Sequence, residues 1–186
     1  MQGLPANFRI PNRKKPQGNL KGIKEEIRQA TRIFSDDQYK ETIMAKLSPI
    51  DAAKAPVLAY GDKNWDAVRA SVAPGILYDE VAIPRKMKGT DQLLACWQGW
   101  ATAFPDSKAT FQNAIAGGNT VVLEMKWRGT HRGVLQTPEG RFDPTGKTIE
   151  IPACLVVEIE DGKAKSMRHY FDMATLFQQL GLAKAA

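Results

Sequence analysis

Asp172 lies where a strand-like run, Ala164 to Phe171, gives way to an amphipathic helical stretch, Met173 to Gly181. A carboxylate at such a junction is held by regular structure on both sides. It can stand at the mouth of a pocket and move protons there. The same position also suits an N-cap, in which the carboxylate accepts backbone N–H bonds from the helix that follows. The two histidines are His131 and His169. His131 falls on the same side of an alternating run as Trp127, either as a polar group in a pocket or as a hydrogen-bonded core histidine. No HExxH or comparable spacing accompanies them, so no metal site is expected. Cys96 and Cys154 are far apart and read as buried free thiols.

The elements that must position these groups follow from periodicity. Lys21 to Phe34 and Asp37 to Leu47 carry helical spacing after a proline-rich, basic opening stretch. Pro49 to Gly61 and Lys63 to Ala73 read as a helical hairpin, and Gly75 to Ile83 as a short strand. Thr90 or Asp91 is placed to cap a helix over Gln92 to Phe104, ended by Pro105. Trp97, Trp100 and Phe104 recur on it at three and four residue steps, a pattern that packs a core or lines a pocket. Period two then takes over: Ala109 to Ala116, Thr120 to Thr130, Lys147 to Glu160 and Ala164 to Phe171, with turns at Gly117 to Asn119 and Glu160 to Lys163. Counting back from Asp172 puts Arg168 on the same side of the last strand. An inward cation there would favour the ionised carboxylate, and burial would oppose it.

Helices, then a helix followed by antiparallel hairpins, then a terminal helix is an α+β order. It predicts a curved, mostly antiparallel sheet wrapped against helices with a cone-shaped hollow between them. The predicted boundary lies near residue 48: a basic N-terminal arm and helices over 1–48, and the α+β domain over 49–186. Of the formal net charge of +6, residues 1–50 carry +5. Without interleaved aromatics or a recognised module, that arm is expected to pack on protein rather than to bind nucleic acid. No apolar run approaches the roughly 18 residues of a membrane span, and the first fifteen residues lack a secretory core, so a cytoplasmic protein without membrane contact is expected.

With the strands placed, several stretches form a pattern: Phe104-Pro105-Asp106, then Gly129-Thr130-His131, then Pro144-Thr145-Gly146-Lys147, then Asp172 followed by Gln178-Gln179-Leu180-Gly181. From about residue 51 to 182 the chain resembles the SnoaL-like polyketide cyclases, or ester cyclases. The resemblance implies the cone-shaped α+β barrel shared with nuclear transport factor 2 and ketosteroid isomerase. It also implies a homodimer or higher oligomer, and aldol-type ring closure without cofactor or metal. It gives Asp172 the acid/base part and His131 a binding or polarising one. Two positions depart from the pattern: Tyr78 is followed by Asp79 and Glu80 where a histidine is common, and Arg168 stands where a tryptophan is common.

Cofactor-free closure needs a base beside a carbonyl and a donor to the developing oxyanion. Asp172 is expected as base and acid, His131 as donor, and Tyr78, Tyr170 or Arg168 as secondary donors. Trp97, Trp100, Phe104 and Trp127 would line the cone and select a flat, apolar or aromatic small molecule. Two other classes stay open: a non-catalytic receptor for such a ligand, and a dimeric interaction module whose cone is plugged.

Overall fold

The computed structural model describes residues 47–138 and 140–182. The helices expected over 21–34 and 37–47 lie outside the described residues, save Leu47. Two short helices open the described chain. Ser48 caps α1 (Pro49–Gly61) by accepting the Asp51 N–H at 3.1 Å, and Pro49 sits where a missing N–H costs nothing. Asn64 caps α2 (Trp65–Ser71) through the Ala67 N–H at 3.0 Å.

There follow β1 (Val72–Glu80), β2 (Arg85–Lys88), α3 (Thr90–Ala103), β3 (Lys108–Gly117), β4 (Thr120–Thr130), β5 (Leu135–Thr137), β6 (Gly140–Phe142), β7 (Thr148–Glu160), β8 (Lys163–Phe171) and α4 (Met173–Leu180). Six strands form one sheet in the order β2-β1-β8-β7-β4-β3, and β5 pairs with β6 in a separate hairpin. All pairings are antiparallel except β1 with β8. The sheet curves but does not close, since β2 and β3 remain its edges. Register shifts in β1, β3 and β7 interrupt the ladders, as bulges that bend a strand do.

Three features differ from the sequence reading. β2 is an extra edge strand made of Arg85, Lys86, Met87 and Lys88, a charged run that suits an exposed edge but carries no apolar alternation. β5 and β6 form a small hairpin inside the expected loop. α3 begins at Thr90 with Gly89 at its N-cap in a positive-φ conformation and no side-chain cap, so neither Thr90 nor Asp91 caps it.

Two apolar clusters make the core. One gathers α1, β1, α3 and the middle of β4, β7 and β8; the other gathers Phe104, Leu135, Ile149, Ile151, Leu176 and Leu180. Trp100 and Trp127 pack against both. The junction they mark is where the interior opens.

Candidate active site

Between the clusters lies a cavity of about 70 Å³. A cavity on the order of 150 Å³ is enough for benzene, so this one takes a guest of a few heavy atoms unless rings move aside. Its aromatic wall comes from four elements. The three and four residue spacing of α3 turns Trp97 and Trp100 inward, with Phe104 just past its end. Alternation brings Tyr78 inward on β1 and Trp127 inward on β4. Tyr60 of α1 meets Trp97 and Trp127 edge-on, with centroids 5.5 and 5.3 Å apart, and Tyr78 meets Trp97 at 5.8 Å. Such pairs hold rings in fixed orientations.

A carboxylate sits in this wall. Glu80, the last residue of β1, shares the inward face of Ile76 and Tyr78 and is 1% exposed. The tight turn after it places Arg85 of β2 directly opposite, and Arg85 donates to Oε2 through both Nε, at 2.7 Å, and Nη2. Oε1 accepts from the Trp100 indole at 2.8 Å, the Tyr78 hydroxyl at 3.3 Å and the Cys96 thiol at 3.5 Å. A buried carboxylate costs too much without such partners; with an arginine and these donors it is held as an acceptor.

The proton positions follow from one donor that cannot accept. The Trp127 indole N–H lies 3.1 Å from Nε2 of His169, so that nitrogen is an acceptor and bears no proton. His169 is therefore neutral with its proton on Nδ1, which donates to the Tyr78 oxygen at 2.9 Å. The Tyr78 hydroxyl proton is left for Glu80. Protons thus point one way, from Trp127 through His169 and Tyr78 to the carboxylate. Burial alone pushes the His169 pKa down to about 3, and burial raises that of Tyr78 well above its ordinary value. Burial, with the negative charge of Glu80 adding to it, likewise raises that of the Cys96 thiol, which leaves it a weak donor.

A second polar cluster adjoins the cavity. The Tyr60 and Ser107 hydroxyls are 2.7 Å apart, and Lys63 Nζ donates at 3.1 Å to both the hydroxyl and the carbonyl of Ser107. Burial pushes Lys63 down to about 8 and Tyr60 up to about 12. The turn carrying Ser107 is docked by Asp106, which accepts the Thr130 N–H at 2.7 Å and the Thr130 hydroxyl at 2.8 Å. These bonds, the backbone one foremost, lower the Asp106 pKa. Gly129 lets the turn lie close: a Cβ there would come within 3.1 to 3.2 Å of Ser107 and Phe104.

Of the residues singled out from sequence, Tyr78, Trp97, Trp100, Phe104 and Trp127 meet around one cavity. The others lie elsewhere. Asp172 is the N-cap of α4: Oδ1 accepts the Thr175 N–H at 2.9 Å and Oδ2 the Thr175 hydroxyl at 2.6 Å. The hydroxyl bond, then the backbone one, lowers its pKa, the opposite of what a desolvated base needs. His131 is fully buried behind Phe104, stacked on it with centroids 5.2 Å apart, and its Nδ1 accepts the Thr145 N–H at 3.3 Å. Burial lowers its pKa, partly offset by the Gly133 backbone. Arg168 and Tyr170 are on the outer face of β8, Arg168 lying 3.6 Å from Glu158. The inward residues of β8 are Met167 and His169. Counting from Asp172 misses them because Asp172 is a helix cap rather than a strand residue. Glu80 and His169 had a legible signal, two-residue steps from Tyr78 on one strand and from Phe171 on the other. The meeting of Ser107 with Tyr60 and Lys63, 47 and 44 residues away, had none.

Cys96 and Cys154 are unpaired and half-buried. Among the described residues, no group of three or more His, Cys, Asp or Glu side chains is arranged to hold a metal ion, and no helix is long and apolar enough to cross a membrane.

Comparison with known proteins agrees with this architecture. The family model for SnoaL-like polyketide cyclase matches residues 51–180. No curated protein matches the chain. Among solved structures, IdmH of Streptomyces antibioticus, a candidate polyketide cyclase, is 23% identical. Its TM-score is 0.61, with 73% of this chain and 99% of that chain covered. A Catenulispora acidiphila protein with a ketosteroid isomerase-like fold, in complex with trimethylamine, is 18% identical with a TM-score of 0.60, over 72% and 94% of the two chains. An LEH-like epoxide hydrolase of M. tuberculosis is 19% identical with a TM-score of 0.56, over 71% and 88%. At these identities the structures show a shared fold.

Proposed function

We propose that this chain, which belongs to the SnoaL-like polyketide cyclase family, is a small-molecule enzyme that moves protons on a small carbonyl compound, as an aldol-type cyclase, isomerase or related lyase does, with Glu80 as its acid/base carboxylate. The observation that carries this reading is that Glu80 stands in the wall of an aromatic cavity at the receiving end of a directed proton chain. The two longest bonds on Oε1, from Cys96 and Tyr78, are those a substrate C–H would displace. Glu80 then takes the proton from the carbon beside the carbonyl, and Arg85 and Trp100 hold the carboxyl group in place. Return of the proton to another carbon completes an isomerisation; bonding of the enolate carbon to a second carbonyl carbon, whose oxygen takes the proton, completes an aldol closure; and loss of a β-hydroxyl, which takes the proton and leaves as water, completes an elimination. The chemistry uses side chains alone.

The test is exchange of the α-protons of acetone, a ketone of four heavy atoms, in deuterated buffer, followed by NMR with the full-length protein. Exchange should exceed the buffer rate, and Glu80→Gln should lower the protein-dependent part by about 10² to 10⁴, the usual worth of a general base. Asp172→Asn should retain it. Loss in Asp172→Asn together with retention in Glu80→Gln would return the role to Asp172. A second reading, a non-catalytic receptor, is favoured by the full set of donors already on Glu80; acetone bound without exchange is its signature.

A further inference from the structure

The two polar clusters that flank the cavity differ in how their protons are used. In the Glu80 cluster each one has an acceptor: Trp127 gives to His169, His169 to Tyr78, and Tyr78, Trp100 and Arg85 to the carboxylate. In the other, Tyr60 and Ser107 own two hydroxyl protons but share one hydrogen bond. Lys63, as an ammonium, only donates, and it gives to the Ser107 hydroxyl and carbonyl oxygens while standing 4.1 Å from the centre of the Tyr60 ring. Among the described residues, no bond receives the second hydroxyl proton. Both hydroxyls belong to residues that line the cavity and are buried, Tyr60 at 5% and Ser107 at 7% exposure.

We infer that Tyr60 and Ser107, backed by the Lys63 ammonium, form a binding site for a carbonyl or enolate oxygen: the unspent hydroxyl proton is donated to that oxygen. The arrangement has what oxyanion stabilisation requires, a fixed donor in a dry wall with a positive charge behind it, so nothing reorganises when charge develops. The lysine polarises the hydroxyl pair through Ser107 while the packing of Tyr60 on Trp97 and Trp127 keeps the donor in place. Those two indoles also meet Tyr78 and His169, so the aromatic pair bridges the donor and the Glu80 cluster. A ketone or aldehyde held by its oxygen at Tyr60 and Ser107 has its α-carbon directed along that wall. This inference rests on the proposed carbonyl substrate class but not on Glu80 being the base.

The test is isotope-edited infrared spectroscopy of carbonyl-labelled acetone bound to the full-length protein, with its affinity read from tryptophan fluorescence. The bound carbonyl band should lie at lower frequency than in hexane. The Tyr60→Phe/Ser107→Ala double variant should return it toward the hexane value and weaken binding about tenfold, the worth of a hydrogen bond from a charge-backed donor. Lys63→Met, which leaves both hydroxyls in place, should reduce the shift, and Glu80→Gln should preserve it. A hexane-like band in the unaltered protein, a shift that survives in both the double variant and Lys63→Met, or no binding at saturating ketone would each overturn the inference. A shifted band without α-proton exchange would sink the proposed base and leave this site standing; exchange without a shift would do the reverse.

Discussion

The two acidic residues Asp172 and Glu80 sit in different environments, and that difference is why the acid/base part is proposed for Glu80. Asp172 gives both oxygens to Thr175 and keeps a lowered pKa, so its worth is conformational. Asp172→Ala should cost about 1 kcal/mol in urea unfolding, the usual value of a lost N-cap, and leave exchange untouched. His169 makes a sharper prediction because its neutral form is built into the network. Its pKa of about 3 in the folded chain compares with about 6.5 when unfolded, so between those values the unfolded chain binds the extra proton. Stability must therefore rise with pH across that window and fall as pH drops from about 6.5 to about 3. The full difference is on the order of 4 to 5 kcal/mol. Urea midpoints measured from pH 7 to pH 4 should decline more steeply for the natural protein than for His169→Gln. Parallel declines would mean that the ring is not held neutral.

At the level of strands and helices, the sequence was readable wherever one periodicity ran unbroken. The helical hairpin, α3, β3, β4, β7, β8 and α4 all follow from apolar spacing bounded by Pro, Gly or Asn, and the face of β4 that carries Trp127 is the one that its alternation predicts. What the spacing could not show was any element held by contacts with its neighbours in place of an apolar pattern of its own. β2 exists because Arg85 meets Glu80 and its backbone pairs with β1; α3 starts at a glycine because the turn, rather than a capping side chain, sets its entry. The phase of β8 was misjudged by one residue, which turns every side chain to the other face and explains why Arg168 and not His169 was expected inside. Close approach of elements also leaves testable marks. A Cβ on Gly133 would meet the Thr102 carbonyl oxygen at 2.0 Å, and the Gly133 N–H is tied to the Ala103 carbonyl, so neither backbone can retreat easily. Gly133→Ala should cost at least the 1 to 3 kcal/mol typical of overpacking. Gly129→Ala meets gentler contacts at 3.1 to 3.2 Å, on Ser107 and Phe104. Its larger effect should be on ketone binding, through displacement of Ser107, with a smaller loss in thermal midpoint. An order reversed, with Gly129→Ala the more destabilising, would show that the Ser107 turn is stiffer than the α3 terminus.

Taken as a whole, the described chain is organised around the seam between two apolar clusters, and the seam decides both stability and access. Trp100 and Trp127 pack on both sides of it while each gives its indole proton to the Glu80 network, so closing the core and ordering the polar groups are one event. The cavity is what remains where rings of fixed shape meet curved strands, and its small volume follows from the same packing. Residues 41–186 make one compact unit. A chain beginning at Glu41 should therefore unfold in one cooperative transition. Its urea midpoint should lie within about 0.5 kcal/mol of the full chain's, as changes away from core features usually do. It should also catalyse acetone exchange at the same rate. Far-ultraviolet dichroism and the exchange assay on the shortened chain check both parts. A broad, non-cooperative transition would show that the seam is completed by residues before Glu41. Normal unfolding with lost exchange would show that those residues reach the cavity instead.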